Sequence, residues 1–147
     1  MAGDDVYRTI RDRVSGYSGQ FADYLLLVPD LFLLATRLML DPRVDKKHKV
    51  YLGAAIAYVV GPFSLLTERV FGPLGYLDAL VVLTAALNMM LNDIDKQIIA
   101  EHWSGKADLL ESIQKVIGQA DKMIGWGRIE SILTALGIKR PAARPAV

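Results

Sequence analysis

The chain has 147 residues, no cysteine and two histidines, and its 17 basic and 16 acidic side chains leave a net charge of +1. This length suits a single domain, the absence of cysteine excludes disulfides and thiolate chemistry, and the near-neutral charge provides no basic field to attract nucleic acid. Hydrophobic residues make up 52% of the chain, above the roughly 45–50% usual in soluble domains.

The first segment, residues 1–19, predicts a short amphipathic helix. Val6, Ile10 and Val14 recur every four residues, and arginines occupy much of the remaining surface. Glycine and serine then interrupt the pattern, and the segment lacks the continuous apolar stretch of a secretory signal. We therefore expect a separate short helix ahead of the main domain, which we place at residues 20–137.

The next helix is predicted over residues 21–40 and is apolar except for a narrow charged stripe. Asp23, Asp30 and Arg37 are spaced by seven residues, so they share one side of the helix. Charged groups on apolar helices are costly unless they are paired or face water. One hypothesis is a buried polar stripe that also includes Asn88, with Arg37 paired to an acid; the alternative is a stripe that faces solvent.

Three proline and glycine signals divide the first half of the chain. Pro29 predicts a kink or a break in the first apolar helix, and Asp41 followed by Pro42 predicts its end. A second helix is predicted from Lys46 to the residue before Gly61. Lysines cluster in its first turn, where they form either a solvated face or a basic edge that contacts anionic lipid headgroups.

The second half of the chain continues the helical pattern. A third apolar helix is predicted over residues 74–91, with Asp78 as its one charge. Shorter helices follow over residues 92–103, 108–124 and 129–136, of which the middle one has an ordinary apolar face. The basic, proline-rich tail, residues 138–147, is expected to be disordered.

Taken together, these elements predict an all-α fold, a small bundle of five to seven helices around a hydrophobic helical hairpin. Three helices are apolar on nearly all sides, whereas a domain of about 150 residues buries only about 70% of its unfolded surface. It can hide one such helix completely but hardly three, so some apolar surface must remain exposed. Exposed apolar patches mark contact with a partner or a membrane.

The functional expectation is therefore contact, not catalysis. We expect a non-enzymatic protein that associates with a membrane on the bacterial cytoplasmic side, or forms an assembly, through its apolar hairpin. The alternative is a soluble cytoplasmic interaction module or homo-oligomer that covers the same surface. The expected partners are a membrane lipid or a partner protein, with no nucleic acid and no cofactor.

A set of short segments, in a specific order and spacing, resembles the YkvA-like family, a bacterial group of unknown function, over residues 21–125. The resemblance rests on VPDL at 28–31, RLMLDPRV at 37–44, Lys49, AIAYVVGPFSLLTE at 55–68, GPLGYLDAL at 72–80, LND at 91–93 and EHWSGKADLLESIQ at 101–114. It implies a small helical domain with two hydrophobic helices around a proline- and acid-containing turn, and no established activity. Some relatives in that family are expected to be membrane proteins.

The family pattern can be carried over at some positions and not at others. The residues that match the structural motif are Asp41, Pro42, Arg43, Lys49, Pro62, Glu68, Gly75 and Asp78. Ser64 and Ala79 stand where the family has carboxylates, and Thr67 stands where it has proline. Hard cations such as calcium take six to eight oxygen ligands, so Glu68 and Asp78 remain weak candidates for a metal site and no catalytic residue is predicted.

Overall fold

The computed structural model describes residues 7–8, 11–12, 22–60, 74–105 and 108–138, with only the backbone at residues 22, 74–76 and 128. The protein is all-α, and no strand occurs in these described ranges. In chain order the helices are α1 (Ala22–Leu25), α2 (Leu27–Leu40), α3 (Lys46–Val60), α4 (Leu74–Met90), α5 (Lys96–His102), α6 (Leu109–Ile124) and α7 (Trp126–Leu136). This confirms the predicted small helical bundle.

The bounds of α2 follow from local chain chemistry. The expected break near Pro29 falls at Leu26, where a turn separates α1 from α2. Pro29 then lies in the first turn of α2, where the missing proline N–H has no intrahelical partner to lose. At the other end Asp41 takes an extended conformation, with φ −81° and ψ 122°, as expected for a residue before proline.

Helix α4 is the buried centre of the bundle. Every side chain from Leu77 to Leu87 is buried, and α1, α2, α3, α6 and α7 all pack against α4. A helix that is apolar all round is stable in water only when it is covered in this way. Of the three apolar helices predicted from the sequence, α4 is therefore the one whose described middle part, from Leu77 to Leu87, is buried on all sides.

Helices α6 and α7 cover one side of the core and show the clearest amphipathic pattern. Asp108 caps α6, because its Oδ1 accepts a hydrogen bond of 2.8 Å from the backbone N–H of Glu111. Gly125, at φ 83°, separates α6 from α7, and Gly137, at φ 75°, ends α7. Both glycines have the positive φ that side chains with a Cβ rarely adopt.

The prediction of a buried polar stripe is wrong, because none of its four residues is fully buried. Asp23 is exposed, and Asp30, Arg37 and Asn88 are half-buried. Asp30 accepts a long hydrogen bond of 3.4 Å from the Tyr7 hydroxyl, and Arg37 donates to a main-chain carbonyl, not to either acid. The side of α2 that carries these groups remains partly hydrated, so the charges need not pair with one another.

The limits of the predicted domain, at residues 19 and 137, stay predictions. Backbone at residues 7–8 and 11–12 is helical, and most of the other residues of the amino-terminal segment lie outside the described part of the chain. The turn between α3 and α4, with Pro62, Ser64, Thr67 and Glu68, also lies outside it, as does the tail after Ile138.

Candidate functional site

The most densely connected polar group of the described chain joins the α2–α3 turn to α5. Its centre is Asp41, which is 6% exposed. Asp41 Oδ1 accepts hydrogen bonds from the Arg43 backbone N–H at 2.8 Å and from Arg43 Nε at 3.0 Å. Asp41 Oδ2 contacts Arg43 Nη2 at 2.7 Å and His102 Nε2 at 2.8 Å.

Two further contacts extend this cluster, which we call the Asp41 clasp and define as Arg37, Asp41, Arg43, Glu101 and His102. Arg43 Nη2 also reaches Glu101 Oε2 at 2.7 Å. Arg37 Nη1 donates to the main-chain carbonyl of His102 at 3.0 Å, which is one of the last carbonyls of α5. The clasp thus ties the carboxyl end of α2 to the carboxyl end of α5.

The electrostatics of the clasp favour ionised side chains. The hydrogen bonds of Arg43, followed by that of His102, hold the pKa of the Asp41 carboxyl well below its usual range. The same contact, with a further one from Glu101, raises the pKa of the Arg43 guanidinium. A fixed, fully bonded carboxylate of this kind accepts protons poorly, so Asp41 is suited to holding two chain segments together and not to proton transfer.

Only some residues of the clasp could be identified from the sequence. Asp41 and Arg43 belong to the motif taken from the family resemblance, and Arg37 was assigned to a different role. His102 has no predicted role because it lies 61 residues from Asp41 in the chain. The one local signal is an arginine two residues after an aspartate, which allows a bidentate contact but does not identify the distant partner.

A second histidine contact lies between the beginning of α3 and the turn after α4. His48 is buried, and its Nε2 is 3.8 Å from Asp93 Oδ2. Lys49, from the predicted motif, is half-buried and continues α3 with a hydrogen bond from its N–H to the Asp45 carbonyl. The cluster of bases predicted at this end of α3 is therefore divided, with His48 turned inward and the lysines more exposed.

Asp78 is fully buried within α4 and is not at the helix end, where a capping role would place it. It is the fifth residue of α4, and its Oδ2 accepts a hydrogen bond of 3.4 Å from the Tyr58 hydroxyl of α3. Ala79, which stands where the family has a carboxylate, is also buried. Gly75, a residue of the predicted motif, lies in the first turn of α4. The other weak candidate for metal binding, Glu68, lies outside the described residues.

The described residues contain no group of three His, Asp or Glu side chains arranged to hold a metal ion. In the same ranges, no helix combines the length and the apolar content that a membrane crossing requires.

Helix α3 leaves one apolar side uncovered, which we call the α3 face and define as Val50, Gly53, Ala57 and Val60. Val50 is 68% exposed and Val60 is 41% exposed; Ala57 is exposed and Gly53 is half-buried. The spacing of three, four and three residues places them on one side of the helix. After Lys49, α3 has no charged residue.

An apolar cleft with a volume of about 380 Å³ opens between α5 and the beginning of α6. Its walls come from the turn after α4, from α5 and from the beginning of α6. The lining residues are Leu91, Asn92, Lys96, Ile99, Ala100, Trp103, Asp108, Leu109 and Leu110. The volume lies at the lower end of the roughly 300–1,000 Å³ typical of ligand pockets. No pattern in the sequence predicts it, because the lining residues fall within positions 91–110 but enclose a space only through the way α5 lies beside α6.

Comparison with known proteins points to a group without an assigned function. A family model described as "Protein of unknown function (DUF1232)" matches residues 48–85, which are most of α3 and α4 and the connection between them. The chain is 22% identical over 121 residues to "Uncharacterized protein ORF9" of Methanothermobacter thermautotrophicus, covering 82% of this chain and 83% of that protein. No solved structure matches significantly. The chain is thus similar to proteins of unknown function, and its resemblance to the YkvA-like family stays a prediction.

Proposed function

We propose that this protein is a peripheral lipid-binding module that works by contact and attaches through the α3 face. The observation that carries the proposal is the exposed apolar side of α3, which continues directly from a turn of lysines. Large exposed apolar patches on small proteins mark interaction sites. An interfacial helix with basic residues at the headgroups needs no membrane-spanning segment.

The dimensions of the α3 face suit shallow insertion. From Val50 to Val60 the helix rises about 15 Å, at about 1.5 Å per residue. Full burial of a valine side chain is worth about 1.5–3 kcal/mol. Two valines, with the small residues between them, therefore provide a modest and reversible apolar contribution.

The lysines of the first turn complement an anionic surface. Lys46 lies on the same side of α3 as Val50, one turn earlier, and Lys46 and Lys47 are both exposed. Each basic residue near an anionic leaflet contributes about 1 kcal/mol. Lysines at one end and apolar residues along the rest predict an orientation in which the lysines stay among the headgroups.

The carboxyl end of α2 extends the apolar surface. Leu40 is 70% exposed and Met39 is 38% exposed. Met39 Cε lies 3.4 Å from the position of a Cβ built on Gly53, so the end of α2 borders the α3 face. The acids in this part of the molecule support a contact role over catalysis, because Asp41 is engaged in the clasp and Asp95 caps α5 through the Gln97 N–H at 2.8 Å.

The test is co-sedimentation with vesicles that contain or lack an anionic phospholipid. The wild-type protein should sediment with anionic vesicles and should be released by high salt. Val50→Asp combined with Val60→Asp should reduce the bound fraction at least tenfold, because it places two carboxylates against the bilayer. Leu26→Asp is the matched control, since Leu26 is 50% exposed at the opposite end of α2. Equal binding by both variants would contradict the proposal.

A second candidate is self-association through the same face. Gly53 and Ala57 are four residues apart, and small residues at this spacing let two helices approach closely. A dimer of this kind should form without lipid, so its mass in light scattering should double as the protein concentration rises. Ala57→Glu should then return it to a monomer; a wild-type protein that stays monomeric at all concentrations excludes this candidate.

A further inference from the structure

We propose that the cleft between α5 and α6 binds a single-chain amphiphile with an anionic headgroup, such as a medium-chain fatty acid. The apolar walls would contain the chain, and Lys96 at the rim would pair with the headgroup. This inference does not depend on the α3 face, because the cleft is formed by other helices and would bind one molecule of ligand, not a surface.

The lining of the cleft determines the class of ligand. Leu91, Ile99, Trp103 and Leu109 contribute side chains that are half-buried or buried, and Leu110, at 58% exposure, extends the apolar surface outward. Polar groups occur among the exposed residues of the lining. An apolar interior with a few polar groups is the usual composition of a small-molecule site.

The cationic group of the cleft lining is Lys96. Lys96 is exposed and is the first residue of α5, and no ion pair of Lys96 occurs within the described chain. The rim also holds the exposed carboxylate of Asp108, whose Oδ1 caps α6 and which keeps its negative charge, so an anionic headgroup would lie on the Lys96 side of the rim. A carboxylate or phosphate headgroup beside Lys96 would therefore gain a cationic partner without displacing an existing one.

The Trp103 ring, which forms one wall of the cleft, packs against Gly105. Trp103 ends α5, with its N–H bonded to the Ile99 carbonyl at 2.9 Å. Its ring lies directly against Gly105, so that a Cβ at Gly105 would overlap the six-membered part of the indole. A wall held in this way loses little freedom on binding, which favours affinity.

The volume sets the size of the ligand. At about 380 Å³ the cleft suits one acyl chain and not a two-chain phospholipid. Each methylene buried in an apolar site contributes about 0.8 kcal/mol, which is about fourfold in affinity. Affinity should therefore rise about fourfold per methylene in a fatty acid series until the chain fills the cleft, and then level off.

The test uses Trp103 fluorescence in a Trp126→Phe background, with ligands kept below their micelle-forming concentrations. Laurate should give a saturable 1:1 change, a neutral twelve-carbon glycoside detergent should bind at least fivefold more weakly, and butyrate, which is eight methylenes shorter, should give no saturable signal over the same concentration range. The comparison with butyrate tests the contribution of acyl-chain length, and the comparison with the neutral detergent tests the contribution of the headgroup charge. Absence of a saturable laurate signal, or equal affinity for the neutral detergent, would overturn the proposal.

Variants distinguish ligand binding in the cleft from nonspecific binding elsewhere on the protein. Lys96→Gln should weaken laurate binding about fivefold, the upper range for an exposed ion pair, and Ala100→Phe should block the cleft from an exposed position that does not disturb the core. Lys122→Gln, on an exposed part of α6, is the matched control and should bind as the wild type does. Val50→Asp should also bind normally; unchanged laurate affinity in both Lys96→Gln and Ala100→Phe would refute the site.

Discussion

At the scale of single residues, Asp41 is the centre of the clasp, and both of its carboxylate oxygens are bonded. It lies 61 residues from His102 in the chain, and its two oxygens accept from a backbone N–H, a guanidinium and an imidazole. A buried carboxylate of this kind is costly to disturb, because removing it leaves several donors without their acceptor.

We expect Asp41→Ala to lower the thermal unfolding midpoint by several degrees. The variant leaves the Arg43 N–H and the inward side of the His102 ring without their acceptor and removes the Asp41 link between α2 and α5, while the Arg37 bond to the His102 carbonyl remains. Glu101→Gln is the control, because Glu101 is largely exposed and makes the outer contact with Arg43, a type of pair that contributes little. Differential scanning calorimetry of both variants checks this expectation; equal midpoints would show that the clasp does not stabilise the fold.

The stabilising effect of Asp41 should depend on pH in a definite direction. The folded protein holds the pKa of Asp41 below the ordinary value of 3.8, so the native state binds fewer protons at this site than the unfolded state does. The contribution is therefore complete above about pH 4 and declines as the pH falls further. The midpoint difference between wild type and Asp41→Ala at pH 5 should narrow as the pH falls below 4; a difference that grows between pH 4 and pH 2 would contradict this assignment.

Inside the bundle, the Tyr58 hydroxyl of α3 donates a hydrogen bond to the Asp78 carboxylate of α4. The hydrogen bond is long, at 3.4 Å, so Tyr58→Phe should lower the free energy of unfolding by about 0.5–1 kcal/mol, the lower part of the range for a hydrogen bond. Tyr51→Phe, at a half-buried position of the same helix, controls for loss of a hydroxyl. Urea unfolding measures both, and a larger loss in Tyr51→Phe would argue against a stabilising role for the Tyr58 contact.

At the scale of elements, glycine has opposite roles in two neighbouring helices. Gly118 lies inside α6 and Gly137 ends α7 at φ 75°, and nothing approaches a Cβ within 4 Å at either position. The Gly137 end is a closed cap, because the Ile138 N–H donates to the Leu133 carbonyl at 2.9 Å.

Alanine at these two positions should therefore give changes of opposite sign. Gly118→Ala should stabilise by about 0.5–1 kcal/mol, because alanine is the better helix former. Gly137→Ala should destabilise by about 1 kcal/mol, because the left-handed conformation crowds a Cβ. Chemical denaturation of the two variants provides the comparison, and a shift in the same direction for both would show that backbone conformation does not control the effect.

Helix bounds were the part of the fold that the sequence predicted well. Helix α3 was expected from Lys46 to the residue before Gly61 and runs from Lys46 to Val60, because aspartate, proline and glycine mark its ends locally. The side of each helix that is buried was harder to predict. Asp23 is exposed and Asp78 is inside, because burial depends on which helices pack together and not on spacing alone.

The candidate sites depended even more on long-range packing. The clasp needs Asp41 and His102, which lie 61 residues apart. The cleft residues fall within positions 91–110, but the space between them depends on how α5 lies beside α6. No local pattern encodes these contacts. The sequence did indicate that apolar surface would be left over, and the exposed Val50 and Leu40 are part of that surface.

At the scale of the whole molecule, the bundle conceals one apolar helix and leaves part of another in solvent. Helix α4 is enclosed by its neighbours, whereas α3 lies at an edge with Val50 and Val60 exposed. These exposed valines gain little from the core and are available for contact with a partner or a lipid surface. Under the proposed function, a lipid surface would receive both the apolar residues of the α3 face and the lysines at its beginning.

Attachment to a lipid surface through the α3 face is tested most directly with one environment-sensitive fluorophore on α3. The chain has no cysteine, so Ala57→Cys and, as a control on α7, Ser131→Cys can each be labelled at a single position with nitrobenzoxadiazole. Both positions are exposed. On addition of anionic vesicles the label at residue 57 should shift to the blue and become protected from an aqueous quencher, while the label at residue 131 should not change. No shift at residue 57, or equal shifts at both positions, would contradict attachment through the α3 face.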